Sequence, residues 1–89
     1  MDKISISQPS DAELEEQSVF SWPIWTCEVS QFPWTYADKE TCFILEGEIE
    51  VSSAEETVNI KPGDFVVFPK GLSCTWKVSV PVRKHYNFG

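Results

Sequence analysis

Glu40 and Cys74 are the residues of this 89-residue chain best placed by type and spacing to do chemistry. Glu40 opens a strand-like run in which Cys42 and Ile44 fall on its own face, because side chains on a strand alternate with period two. A carboxylate on an apolar face is costly unless paired or protonated, so one there points to use as an acid, a base or a polar anchor. The other reading is a rim carboxylate in a loop ahead of the strand. Cys74 shares its face with Trp76 and Val78, which turns it inward. A thiol in that place is a nucleophile if a nearby cation, Lys70 or His85, depresses its pKa; otherwise it is a small buried hydrophobe. Cys42 reads as core, and Cys27 sits in no motif.

Trp34, Tyr36 and Trp76 bring flat, amphipathic rings. These suit stacking on a planar or sugar-like ligand, and equally suit filling the interior of a small barrel. His85 is the single histidine, which removes a His-rich metal site and a Ser-His-Asp triad with a spare base. Set opposite Val82, Tyr86 and Phe88, it reads as a structural side chain. Arg83 and Lys84 are strand neighbours that point to opposite faces, so they cannot close on one anion. Trp22 and Trp25 flank Pro23 and read as a seal at a barrel end or a subunit contact.

The elements that must hold these residues are short strands. Ile4 and Ile6 alternate with polar residues as in an edge strand. Ser10 with Glu13 three positions on forms a capping box, which predicts one short helix over residues 11–17. From Trp22 onward strand-like runs alternate with turn signals: Ile24 to Val29, Phe32 to Tyr36, Thr41 to Leu45, Glu48 to Ser52, Thr57 to Ile60 and Phe65 to Phe68. Gly47, between Glu46 and Glu48, predicts a hairpin turn. Lys61-Pro62-Gly63-Asp64 has type II turn chemistry, and Pro69-Lys70-Gly71 marks another turn. Residues 74–79 and 82–88 complete the set. Many short strands with regular turns predict a single all-β domain over residues 1–89, a sandwich or barrel with one short N-terminal helix.

Composition narrows the function. Seven basic against fourteen acidic residues give a net charge of −7, which argues against nucleic acid and against an anionic membrane surface. Six Phe, four Trp and two Tyr supply a dense core for so short a chain. Three cysteines without C-x-x-C spacing form neither a disulfide framework nor a zinc knuckle. With no apolar leader and no run near the ~20 apolar residues of a spanning helix, the expected compartment is the reducing cytoplasm. An organellar chain trimmed of a transit peptide is the alternative.

Two spacings carry a resemblance. Glu40 precedes Gly47 by seven positions, and Gly63, Pro69 and Gly71 fall at the places of a glycine, proline and glycine followed by two residues and a histidine, with Cys74 where that histidine would stand. Together these resemble the two motifs of the cupin superfamily. The segments Trp22-Pro23-Ile24-Trp25, Phe65 to Gly71 and Val82 to Tyr86 are similar to the small branch grouped with (S)-ureidoglycine aminohydrolase cupins. The resemblance implies a jelly-roll β-barrel with its ligand or metal at the open end. It also implies that Trp34 and Tyr36 occupy the places of a paired His-x-His. Indole has no lone pair for a metal, and phenol is a poor ligand unless ionised. No metal ligand is therefore assigned, and no cofactor.

The sequence supports three functions. The first is a metal-independent cupin that binds a small molecule in the barrel, with Trp34, Tyr36, Glu40, Cys42, Cys74 and Trp76 around the ligand. The second is a metal-assisted hydrolase of a small nitrogenous compound, with catalysis by Glu40, Tyr36 and Cys74 and a divalent ion as cofactor. The third is a structural or interaction module with a filled barrel. A sheet edge paired between two copies makes a homodimer the expected assembly.

Overall fold

The computed structural model describes residues 3–89. Ser10 caps helix α1 (Asp11–Glu16) through the capping box: its hydroxyl accepts the Glu13 N–H, and the Glu13 carboxylate accepts the Ser10 N–H. A 3₁₀ turn over Val19–Ser21 follows, unmarked by any local signal, and buries Val19 completely. The remaining elements are strands: β1 (Ser5–Ser7), β2 (Ile24–Cys27), β3 (Ser30–Thr35), β4 (Glu40–Ser53), β5 (Thr57–Ile60), β6 (Phe65–Phe68) and β7 (Ser73–Phe88). Every pairing among them is antiparallel.

Both proline–glycine turns form as their chemistry requires. Gly63 takes φ +91° and the Asp64 N–H donates to the Lys61 carbonyl; Gly71 takes φ +87° and the Leu72 N–H donates to the Pro69 carbonyl. The hairpin turn expected at Gly47 does not form. Strand β4 runs unbroken from Glu40 to Ser53 with Gly47 in its middle at φ +105°, and residues 74–79 and 82–88 likewise join in the single strand β7. A glycine between two acidic residues in an alternating pattern is the shared signature of a turn and of a bulge, and here it is the bulge.

Strands β4 and β7 pair with each other along most of their length, with register shifts between Ile44 and Ile49. The bulged region separates two half-sheets. One has the order β1-β6-β4-β7-β2 and uses residues 40–44 of β4 and 82–88 of β7; in the other, β5 pairs with residues 49–52 of β4 and β3 with residues 73–78 of β7. Their inner faces meet. Tyr36 stacks on Phe68 at 5.1 Å between ring centroids, and Phe68 lies 5.5 Å from Trp76. Outside the first half, Phe20 packs edge-on against Phe43 and His85, Trp22 lies against Phe65, and His85 Nδ1–H donates to the Trp22 carbonyl at 2.9 Å. His85 thus packs on the outer face, as its parity predicts, and is hydrogen-bonded. No helix among the described residues is long and apolar enough to cross a membrane.

Candidate functional site

Glu40 pairs through its backbone with Phe68 on one side and Phe88 on the other, so it begins a central strand and its side chain enters the interior. It is 3% exposed. Each carboxylate oxygen has a partner. The Tyr36 hydroxyl donates to Oε1 at 2.8 Å, and Lys84 Nζ donates to Oε2 at 2.7 Å. The Lys84 ammonium also lies over two indoles, 4.8 Å from the Trp25 ring centroid and 4.5 Å from that of Trp76. Two opposite charges taken out of water are tolerable only when well paired. Here the short charge-assisted bond and two ring faces supply that compensation.

A cavity of about 230 Å³ adjoins this cluster. Of the residues predicted from sequence, Trp34, Tyr36, Glu40 and Trp76 line it; Trp25, Phe32, Lys84, Tyr86 and Phe88 complete the wall. Trp34 and Phe88 are about half exposed and frame its opening. Cys42 and Cys74 are buried but do not line the cavity. Trp25, expected at a barrel end or subunit contact, instead covers the Lys84 ammonium, whereas Trp22 packs on the outer face.

Of the five lining residues that sequence reasoning missed, Lys84 is the one with a charge, and its signal was present. It shares parity with Val82, Tyr86 and Phe88, so a lysine stood on an otherwise apolar face. Arg83, one position earlier, is exposed, as the alternation predicts.

The surroundings push three acids upward. Burial, reinforced by the Glu40 charge and its hydrogen bond, raises the Tyr36 phenol well above its ordinary value of 10.0. Burial lifts the Cys42 thiol from 9.0 to about 12, with Lys84 pulling the other way and Glu40 adding to the rise. Burial also raises Cys74, while the Trp76 indole lowers it and Glu40 raises it further. The Trp76 Nε1–H makes no hydrogen bond of acceptable geometry; the neighbouring thiol sulfur is a weak acceptor and satisfies it poorly.

These shifts have a sign. An acid whose proton is held more tightly in the folded state contributes stability below its unfolded pKa and loses it as pH rises toward the folded value. Unfolding in urea at a series of pH values should therefore show stability falling from about pH 9 upward, steepening above about pH 10 as Tyr36 joins Cys42. In the native protein at about pH 8, a thiol reagent should modify half-buried Cys27 while Cys42 stays unmodified until the chain unfolds. Rapid labelling of Cys42 in the folded chain would show that water reaches it.

In a metal-binding cupin the carboxylate at the position of Glu40 helps to hold a divalent ion. Here both its oxygens are engaged, one by an ammonium that already supplies the positive charge. Tyr36 keeps its proton, and no three His, Cys, Asp or Glu side chains converge among the described residues. The donor set does not fit a divalent ion.

Residues 14–86 match the family model of the EutQ-like cupin domain. The crystal structure of a DUF861 family protein from Thermotoga maritima is 51% identical with a TM-score of 0.95, covering 98% of this chain and 100% of that one. The crystal structure of an ethanolamine utilization protein Q from Salmonella typhimurium LT2 has a TM-score of 0.67 at 34% identity, covering 73% of this chain and 53% of that one. Among curated sequences, acetate kinase EutQ of the same Salmonella strain is 40% identical over 55 residues, which are 62% of this chain and 24% of that protein. The matched segment thus spans about a quarter of the length of the curated relatives.

Proposed function

This chain belongs to the EutQ-like cupin family, with its all-β jelly-roll fold, and we propose that it is a metal-free binding domain for a small, flat, largely apolar molecule. The observation that carries this reading is a cavity walled by aromatic rings with a cation of its own, Lys84, already neutralised by Glu40. Typical ligand pockets measure about 300–1,000 Å³, so a cavity of about 230 Å³ suits a single ring with one polar substituent. The rings offer stacking faces. Lys84 has three N–H donors, of which Glu40 takes one, so the polar substituent is best matched by an acceptor oxygen.

Acetate kinase is the name of the Salmonella protein, of which this chain matches 24%. Phosphoryl transfer calls for a cradle of uncompensated cations or backbone N–H groups around the phosphates. The ammonium in this cavity is compensated, which favours binding over phosphoryl transfer. An aminohydrolase of the ureidoglycine type calls on a divalent ion, for which the donor set is wrong. A filled structural barrel is disfavoured by the cavity itself.

Benzyl alcohol is a suitable probe, followed by heteronuclear NMR of the four indole N–H groups. The signals of Trp25, Trp34 and Trp76 should shift on titration and that of Trp22, on the outer face, should stay. Excess EDTA should change nothing. Equal shifts of all four indoles, no shifts in the millimolar range, or loss of binding with EDTA would each overturn the reading.

A further inference from the structure

Of the described lysines, Lys84 alone is buried; Lys3, Lys39, Lys61, Lys70 and Lys77 are exposed. An ion pair that served the fold alone would not need to border a cavity, yet both Lys84 and Glu40 line this one. We propose that Lys84 is an amine nucleophile, condensing with the carbonyl carbon of a small aldehyde or ketone admitted to the cavity and so forming an iminium. This rests on the cavity's being a ligand site.

Glu40 supplies the proton transfers of that reaction. Glu40 Oε2 is 2.7 Å from Nζ and takes a proton from the ammonium, leaving a neutral amine with a free electron pair. The amine adds to the carbonyl carbon: the C–N bond forms and the π electrons move to oxygen. That oxygen takes one proton and nitrogen gives one up, yielding a carbinolamine. Glu40, returned to its protonated form, then gives its proton to the hydroxyl, the C–O bond breaks, and water leaves as the nitrogen pair closes the C=N bond. The balance is ammonium plus carbonyl giving iminium plus water, with no oxidant or reductant. Tyr36, whose hydroxyl donates to the other oxygen of Glu40 at 2.8 Å, holds the carboxylate in position throughout.

The product suits the site as well as the reactant does. An iminium keeps the positive charge of the ammonium, so the ion pair with Glu40 and the attraction of the Trp25 and Trp76 rings survive the reaction. The aromatic wall accommodates the body of the carbonyl compound.

The test treats the full chain with benzaldehyde and cyanoborohydride, which reduces an iminium to a stable secondary amine, and maps the benzyl groups by peptide mass spectrometry. Lys84 should be modified ahead of the exposed lysines. Glu40→Gln should slow that modification about a hundredfold, the usual scale for loss of a general base. Lys84→Arg retains a cation opposite Glu40 and so keeps the fold, while its peptide should stay unmodified; an undiminished yield of adduct on that peptide would overturn the assignment. Benzyl alcohol, which cannot condense, separates the two levels of the argument. If it shifts the cavity indoles but Lys84 is modified no faster than Lys61 or Lys70, the amine chemistry falls and the binding reading stands. If neither compound engages the cavity, both fall.

Discussion

Replacing Lys84 with methionine should lose about 3–5 kcal/mol of stability, the usual penalty for removing one partner of a buried ion pair. Methionine fills much of the same volume, so the loss does not come from a void. It comes from Glu40, which would keep one hydrogen bond, from Tyr36, and no counter-charge. Two measurements separate this cause from others. In urea, the midpoint should fall while the slope stays constant, since the surface exposed on unfolding hardly changes. Adding Glu40→Gln should recover most of the loss, because the stranded charge is gone. A single variant within about 1 kcal/mol of wild type would place the pair in water, where exposed ion pairs contribute little.

That expectation rests on a residue that local sequence patterns left out of the site, and the reason is instructive. Glu40 stood out because a carboxylate began an apolar strand face, and Trp34, Tyr36 and Trp76 stood out as rings near it in the strand pattern. All four line the cavity. Lys84 carried the same kind of signal, a charge in register with Val82, Tyr86 and Phe88, but beside Arg83 it raised only the question of an anion clamp, which strand alternation excludes. Period-two alternation places a side chain on a face; it does not say what lies across from that face. Only the pairing of Ile44 with Lys84 and of Glu40 with Phe88 brings a lysine 44 positions away to the carboxylate. The cysteines fail in the opposite sense. Their inward parity holds, yet Cys42 and Cys74 are buried without lining the cavity.

Gly47 marks the other place where local pattern and long-range pairing part, and Gly47→Ala should be among the most damaging single-methyl changes in the chain. A Cβ there would lie 2.6 Å from the Pro81 carbonyl oxygen, 2.7 Å from the Val82 Cα and 2.9 Å from the Val80 carbonyl oxygen. All three are backbone atoms of β7, so no side-chain rotation relieves the clash. The backbone itself holds φ +105°, a region costing a residue with a side chain about 1–3 kcal/mol, and overpacking adds about 1–3 kcal/mol more. Gly63→Ala is the matched control, since Gly63 has φ +91° but nothing within 4 Å of its added Cβ. It should lose only the conformational part. The difference between the two variants in urea unfolding therefore isolates the contact between β4 and β7 at the bulge. This contact reaches the site as well, because the strands that bend there place Glu40 on one and Lys84 on the other. A chain forced open at Gly47 should weaken the binding of benzyl alcohol even where it remains folded, whereas Gly63→Ala should leave that binding unchanged. Equal losses for the two alanine variants would mean that β7 moves aside freely, and that the bend is held by something other than this close approach.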